Sequence, residues 1–186
     1  MEAAPTVIDA ILQENLQVLK QIDASLLQRL LELLSHASSI FVCGKGRSGF
    51  IARCFAMRLM HLGLRAYVVD ETITPAIGPG DVLIACSGSG ETEETCLAAE
   101  KANRIGSQVI AITAEAGSRL TQVASLSVVL SAPHKNSVAT NGISLQYAGS
   151  LFEQSTLLFC DGIILQEMQA RQSTCAELAS RHANLE

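Results

Sequence analysis

No run of Lys and Arg occurs anywhere in this 186-residue chain, and its formal net charge is −5. Without such a run a row of phosphates has nothing to pair with, which excludes nucleic acid as the main partner; any single phosphate must be held locally. No segment reaches the roughly twenty consecutive apolar residues that span a bilayer. Residues 1–5 (MEAAP) also lack the basic-then-apolar pattern of a secretory leader. A cytoplasmic chain with no membrane partner is therefore expected. The six cysteines (Cys43, Cys54, Cys86, Cys96, Cys160 and Cys175) include no pair at the C-x-x-C spacing of zinc or redox sites. Cys43 and Cys86 end apolar runs, where a free thiol behaves as a small hydrophobe. Low-complexity stretches, internal repeats and linkers are missing too, so one domain over 1–186 is expected. With 48% apolar and 17% charged residues, the chain is far from compositions that cannot fold.

What the chain does have is alternation. Val7, Ile8, Ile11, Leu12 and Leu19 fall on a helical period within 7–20, as do Leu26, Leu27, Leu30, Leu31 and Leu34 within 25–35. Thr6 and Asp23 are placed to cap these two helices, which make up an N-terminal helical region, 6–36. A core region, 39–130, follows: β-branched or apolar runs at 39–43, 66–69, 82–86, 109–113 and 126–130 alternate with helical stretches at 48–62, 91–105 and 118–124. The pattern predicts an α/β fold, a three-layer αβα sandwich around a five-stranded parallel sheet of order 2-1-3-4-5, flavodoxin-like in topology. A long apolar helix at 145–168 and a short one at 174–181 complete a C-terminal helical region, 145–183. The stretch 131–143 (SAPHKNSVATNGI) has no strong period and is the best candidate for a mobile loop over a site.

Two loops have the composition of phosphate cradles. The first, GKGRSG at 44–49, follows the first strand and opens a helix. It satisfies G-x-G-x-x-G, and Asp70 and Glu71 end the next strand where a dinucleotide fold keeps its ribose ligand, so a dinucleotide stays open on spacing alone. Phe50 stands where a Walker loop needs Lys and then Ser or Thr, which argues against a nucleoside triphosphate. The second loop, SGSGET at 87–92, lies at the carboxyl end of the third strand. Small residues let the backbone approach an anion there, helical N–H groups favour negative charge, and Ser87, Ser89 and Thr92 add hydroxyls to grip a phosphate. In a 2-1-3-4-5 sheet the two loops share one crevice. A dinucleotide enzyme does not need the second loop and usually needs further chain for its substrate. The pair therefore points to a small phosphorylated metabolite.

With these residues in place, the chain resembles the sugar isomerase (SIS) domain family, and within it the 6-phospho-3-hexuloisomerases. The matching stretches are GKGRSG (44–49), AMRLMHLG (56–63), ETITPAIGPGD (71–81), SGSGET (87–92), GSLFEQ (149–154) and RHANLE (181–186). The resemblance implies interconversion of D-arabino-hex-3-ulose 6-phosphate and D-fructose 6-phosphate, a step in formaldehyde fixation. It implies neither metal nor organic cofactor, and a homotetramer with active sites at subunit contacts. Tyr147-Ala148 and Lys45 depart from the family pattern. The same fold also supports isomerases of arabinose 5-phosphate or sedoheptulose 7-phosphate, and non-catalytic sugar-phosphate sensors.

Moving a carbonyl from C3 to C2 requires removing the C2 proton, stabilising an enediolate and returning a proton to C3; one carboxylate can serve both carbons. Glu153 is the candidate, early in the long helix, where burial among Leu151, Phe152 and Leu157 would tune a carboxyl group for proton transfer. The resemblance also gives it the position of the isomerase glutamate. His182 by sequence alone is a tail residue. The resemblance makes it a proton shuttle between substrate oxygens, reaching a neighbouring subunit's site. His61 is expected as a satisfied helix histidine lining the crevice. Arg47 either takes a phosphate or sugar oxygen in a forked contact or forms a surface ion pair. Ser48 either adds a hydroxyl to the substrate or caps its helix.

Overall fold

A computed structural model describes residues 6–134 and 144–185. Two helices open the fold, α1 (Val7–Leu19) and α2 (Ala24–His36). Both begin at the expected caps: Thr6 forms a reciprocal capping box with Asp9, and the Asp23 side chain accepts from the Ser25 amide. Five strands follow: β1 (Ile40–Gly44), β2 (Ala66–Val68), β3 (Val82–Cys86), β4 (Gln108–Thr113) and β5 (Leu126–Val129). All pair in parallel, in the order β2-β1-β3-β4-β5. The crossovers are α3 (Gly46–His61), α4 (Glu93–Ile105) and α5 (Arg119–Val123), and α6 (Ser150–Ala170) and α7 (Cys175–Ser180) end the described chain.

The period-2 geometry of a strand divides the core into two sides. Ile40, Val42, Ile84 and Ile112 face Leu34 of α2, Phe55 and Leu59 of α3 and Phe159 and Ile163 of α6. Phe41, Cys43, Leu83 and Ala111 face Cys96, Ala99 and Ala102 of α4 and Leu120 of α5. Helices thus cover both faces, giving the expected three-layer α/β sandwich. Of the cysteines, Cys43, Cys86, Cys96 and Cys160 are buried and Cys54 and Cys175 exposed. Burial pushes the Cys43 and Cys86 thiols up to about 12, so neither is a ready nucleophile.

Element ends moved where side chains outcompeted periodicity. The long helix, expected from 145, starts at Ser150. Ala148 turns the chain with a φ of 51°, and Leu145 and Tyr147 point outward, 85% and 90% exposed. Glu14 of α1 holds the approach: its carboxylate accepts from Ser144 Oγ and the Leu145 amide, each at 2.8 Å, and from Gln146 Nε2 at 2.9 Å. Behind it, buried Asn15 ties α1 to α6 by donating to Gln154 Oε1 at 2.8 Å and accepting from Ser155 Oγ at 2.8 Å. Helix α3 starts at Gly46 rather than 48, inside the first loop. Of the stretch 131–143, only 131–134 fall within the described residues, so the expected covering loop lies largely outside them.

Candidate active site

Because every strand is parallel, the chain after β1, β3 and β5 emerges at one edge of the sheet. The N-terminus of α6 comes to the same edge. Together they enclose a cavity of about 510 Å³, reached by Arg47 and Ser48 from the first loop, Ser87, Ser89 and Thr92 from the second, and Glu153 from α6.

The second loop is built to hold its own shape. Ser87 is 2% exposed; its hydroxyl accepts from the Gly90 amide at 3.1 Å and pairs with Thr92 Oγ1 at 2.9 Å. Ser89 Oγ accepts from the Glu91 amide at 3.2 Å. Gly88 O is held by Thr113 Oγ1 at 3.2 Å and by the Ala114 amide at 3.0 Å, which ties the loop to β4. Helices α3 and α4 both start without a side-chain cap on their N-cap residues, Lys45 and Thr92. Their first-turn amides at this edge therefore favour an anion.

Glu153 sits in the first turn of α6 with its side chain 15% exposed, and Arg47 Nε donates to its Oε2; the Arg47 side chain is 65% exposed. Of the three residues expected to bury it, Leu151 and Phe152 are buried, whereas Leu157 faces outward at 36%. Of the two roles open to Arg47, the structure shows an ion pair, made with the candidate base across the crevice. Ser48 also lines the cavity, and no side-chain cap was found at its helix.

His134 was not among the sequence candidates. It lies beyond β5, lines the same cavity at 8% exposure and places Nε2 2.9 Å from Glu115 Oε1. It also packs on the second loop, since a Cβ added to Gly88 would lie 3.1 Å from the His134 Cβ. The signal was topological: a residue shortly after a parallel strand belongs to the binding edge. Among the described residues no group of three or more His, Cys, Asp or Glu is arranged to hold a metal ion, and no helix is long and apolar enough to cross a membrane.

The sequence model of the SIS domain matches residues 33–151, more than half of the chain, and spans both loops of the crevice. The chain belongs to the SIS domain family. This SIS protein is 42% identical over 147 residues to a 3-hexulose-6-phosphate isomerase of Mycobacterium gastri, covering 79% of this chain and 73% of the other. It is 40% identical over 154 residues to a protein of the same name from Bacillus subtilis strain 168, covering 83% and 82%. Among solved structures it is similar to a Methanococcus jannaschii protein whose crystal structure was taken to infer a 3-hexulose-6-phosphate isomerase function. That match has a TM-score of 0.84 at 36% identity and covers 96% of this chain and 98% of the other.

One candidate of this SIS chain is not where the sequence reading put it. Helix α3 starts at the binding edge and runs back across the sheet, so His61, its last residue, lies roughly 22 Å from Gly46. His61 therefore does not line the crevice of its own chain, which corrects the expectation. It is 2% exposed, and the exposed His182 ring stacks on it with centroids 4.9 Å apart and planes 25° apart. The tail is fixed there by Arg181, whose Nη1 donates to His61 O at 3.0 Å. The pair His61–His182 thus forms a second station, outside the cavity that holds Glu153.

Burial, then the charges of His182 and Arg58, hold His61 below the usual imidazole value. As pH falls through about 6.5, the unfolded chain takes up this proton before the folded one does. The stability His61 contributes is complete above that pH and is lost as pH drops toward its lowered folded value. The melting temperature of the native chain should fall more between pH 7 and pH 5 than that of His61→Asn, which differential scanning calorimetry at both pH values will show.

Proposed function

We propose that this SIS protein is a sugar-phosphate isomerase interconverting D-arabino-hex-3-ulose 6-phosphate and D-fructose 6-phosphate in the cytoplasm, within formaldehyde assimilation by the ribulose monophosphate route. The observation that carries the reading is the mostly buried Glu153 carboxylate in one cavity with the hydroxyl-rich loop Ser87 to Thr92. Its relatives' names point the same way.

In this mechanism Ser89, Thr92 and the α4 amides hold the phosphate, leaving the C2–C3 end of the open-chain ulose toward α6. Glu153 takes the C2 proton; the C–H electron pair becomes the C2=C3 bond, and the C3 carbonyl becomes an enediolate oxygen. Arg47 and the first-turn amides of α3 stabilise that charge. The enediol then loses the O2 proton to form the C2 carbonyl, and protonated Glu153 returns hydrogen to C3. The net change is one hydrogen from C2 to C3 and one from O2 to O3. His182 is suited to the oxygen-to-oxygen transfer because an imidazole ring carries both a proton-donating and a proton-accepting nitrogen. It is also suited to ring opening, needed only for fructose 6-phosphate, since the phosphate blocks the oxygen through which the 3-ulose would close a five-membered ring.

The distance between the two stations within one chain supports a reading in which His182, with His61 behind it, reaches a neighbouring subunit's site in a homotetramer. The apolar outer face of α1, with Val7, Ile8, Leu12 and Leu16 all exposed, is suited to such a contact. Glu153→Gln and His182→Asn, each deficient alone, should recover activity when co-refolded at equal ratio, because about a quarter of the shared sites then carry both native residues. No recovery in mixed oligomers would mean that both residues serve one chain's own site. Incubating the enzyme with D-arabino-hex-3-ulose 6-phosphate, arabinose 5-phosphate and sedoheptulose 7-phosphate in turn tests the reaction. Fructose 6-phosphate should form from the first, whereas turnover confined to either of the others would reassign the substrate.

A further inference from the structure

The first loop has features that the sugar-phosphate crevice alone does not account for. A Cβ on Gly49 would lie 2.6 Å from the Gly44 carbonyl oxygen, and one on Gly44 would lie 2.9 Å from that of Cys86. These contacts are the tight turn and close helix–strand approach that the outer glycines of G-x-G-x-x-G provide in nucleotide-binding folds. Gly46 is the opposite, with φ at +58° and nothing within 4 Å of where its Cβ would stand. Open backbone of this kind, at the uncapped start of a 16-residue helix, lets an anion come close.

A second cavity, of about 540 Å³, opens beside this loop over the ends of β1 and β2, whereas the active-site crevice lies over β1 and β3. Asp70 stands at its edge just past β2, in a left-handed conformation with a φ of 74°. One of its carboxylate oxygens takes Lys45 Nζ at 3.0 Å in an exposed ion pair. Thr95 of α4 also lines this cavity; it is 1% exposed and its hydroxyl has no hydrogen-bond partner among the described residues. A buried hydroxyl without a partner marks a place where an incoming group completes the bonding. Phe50, 69% exposed, adds an aromatic face.

We propose that this cavity is a second ligand site, separate from the isomerase crevice, for a ribonucleoside 5′-monophosphate. The cis-diol of the ribose bonds Asp70, the phosphate meets the Gly46 backbone and Lys45, and the base lies against Phe50. The charged residues lining the cavity are Lys45 and Arg53 against Asp70 and Glu94, which balance. That balance suits one phosphate and disfavours a triphosphate. Lys45 and Gly46 line both cavities, so nucleotide and sugar phosphate alter each other's affinity by one reciprocal factor. The site gives the enzyme a means of sensing nucleotide level.

Isothermal titration of the full chain with AMP and with 2′-deoxy-AMP tests this, each with and without fructose 6-phosphate. AMP should bind, and 2′-deoxy-AMP should bind about tenfold more weakly or worse, since a hydrogen bond to a charged acceptor is lost. Asp70→Asn should weaken AMP by a similar factor, and Asn tolerates the left-handed backbone that Asp70 occupies. Saturating fructose 6-phosphate should shift AMP affinity by a finite factor that reaches a plateau. The proposal is overturned by absence of AMP binding or by equal affinity for the two nucleotides. It is also overturned by complete displacement with fructose 6-phosphate, which would put the nucleotide's phosphate in the substrate crevice. The deoxynucleotide arm uses the native protein, so it decides the matter even if Asp70→Asn folds poorly.

Discussion

Glu153→Gln should lower turnover about 10²- to 10⁴-fold, the usual contribution of a positioned acid–base group, while sugar-phosphate affinity changes little. Glutamine keeps the length and shape of the side chain but cannot accept the C2 proton. The phosphate would be gripped elsewhere, by Ser89, Thr92 and the start of α4, so binding has no reason to follow catalysis down. The fold should also survive: the partner lost is Arg47, whose side chain is 65% exposed, and ion pairs with an exposed member contribute only about 0–1 kcal/mol. Steady-state rates in both directions, fructose 6-phosphate titrations and a thermal melt separate these effects. If affinity falls as far as turnover, Glu153 is a binding residue. If neither falls, it is a structural carboxylate.

Gly90→Ala should cost about 2–5 kcal/mol of stability and disable phosphate binding in whatever folds. Two penalties add. Gly90 has a φ of +65°, where a side chain is strained, and its Cβ would stand 2.0 Å from Ser118 Oγ and 2.3 Å from Ser118 Cβ. Ser118 is 5% exposed, and its hydroxyl donates to Glu115 O at 2.9 Å, so it cannot swing aside freely. The backbone of the second loop must move instead, which breaks the Gly90 amide's bond to Ser87 Oγ. Denaturant unfolding with and without fructose 6-phosphate measures both effects. Ser118→Gly in the same background should recover part of the loss by removing the clash while leaving the strained φ.

These loops were legible in the sequence because their chemistry is local. VLIAC reads as a central strand buried on both faces, and it is one, β3, at the residues expected. SGSGET after it could only be a turn with hydroxyls. The sheet order followed from alternation and handedness, which depend on the backbone rather than on particular partners. Contacts distant in sequence were not legible. Glu14 sets where α6 begins from more than a hundred residues away, and no periodicity shows that. His61 was expected to line the crevice, yet a 16-residue helix in a parallel sheet delivers its two ends to opposite edges. His134 lies in a stretch read as a loop over a site with no residue singled out, although its place after β5 assigns it to the binding edge. The pairing of Arg47 with Glu153 joins β1's loop to α6, so spacing could offer Arg47 only as an oxygen ligand or a surface ion pair, with no partner named.

The most direct measurement is a crystal structure of Glu153→Gln grown with fructose 6-phosphate, which traps bound sugar without turnover. The account predicts the phosphate against Ser89, Thr92 and the first amides of α4, with C2 and C3 within about 3.5 Å of the residue 153 side chain. A phosphate held anywhere else, or a sugar whose C2 and C3 lie out of reach of that side chain, would contradict it.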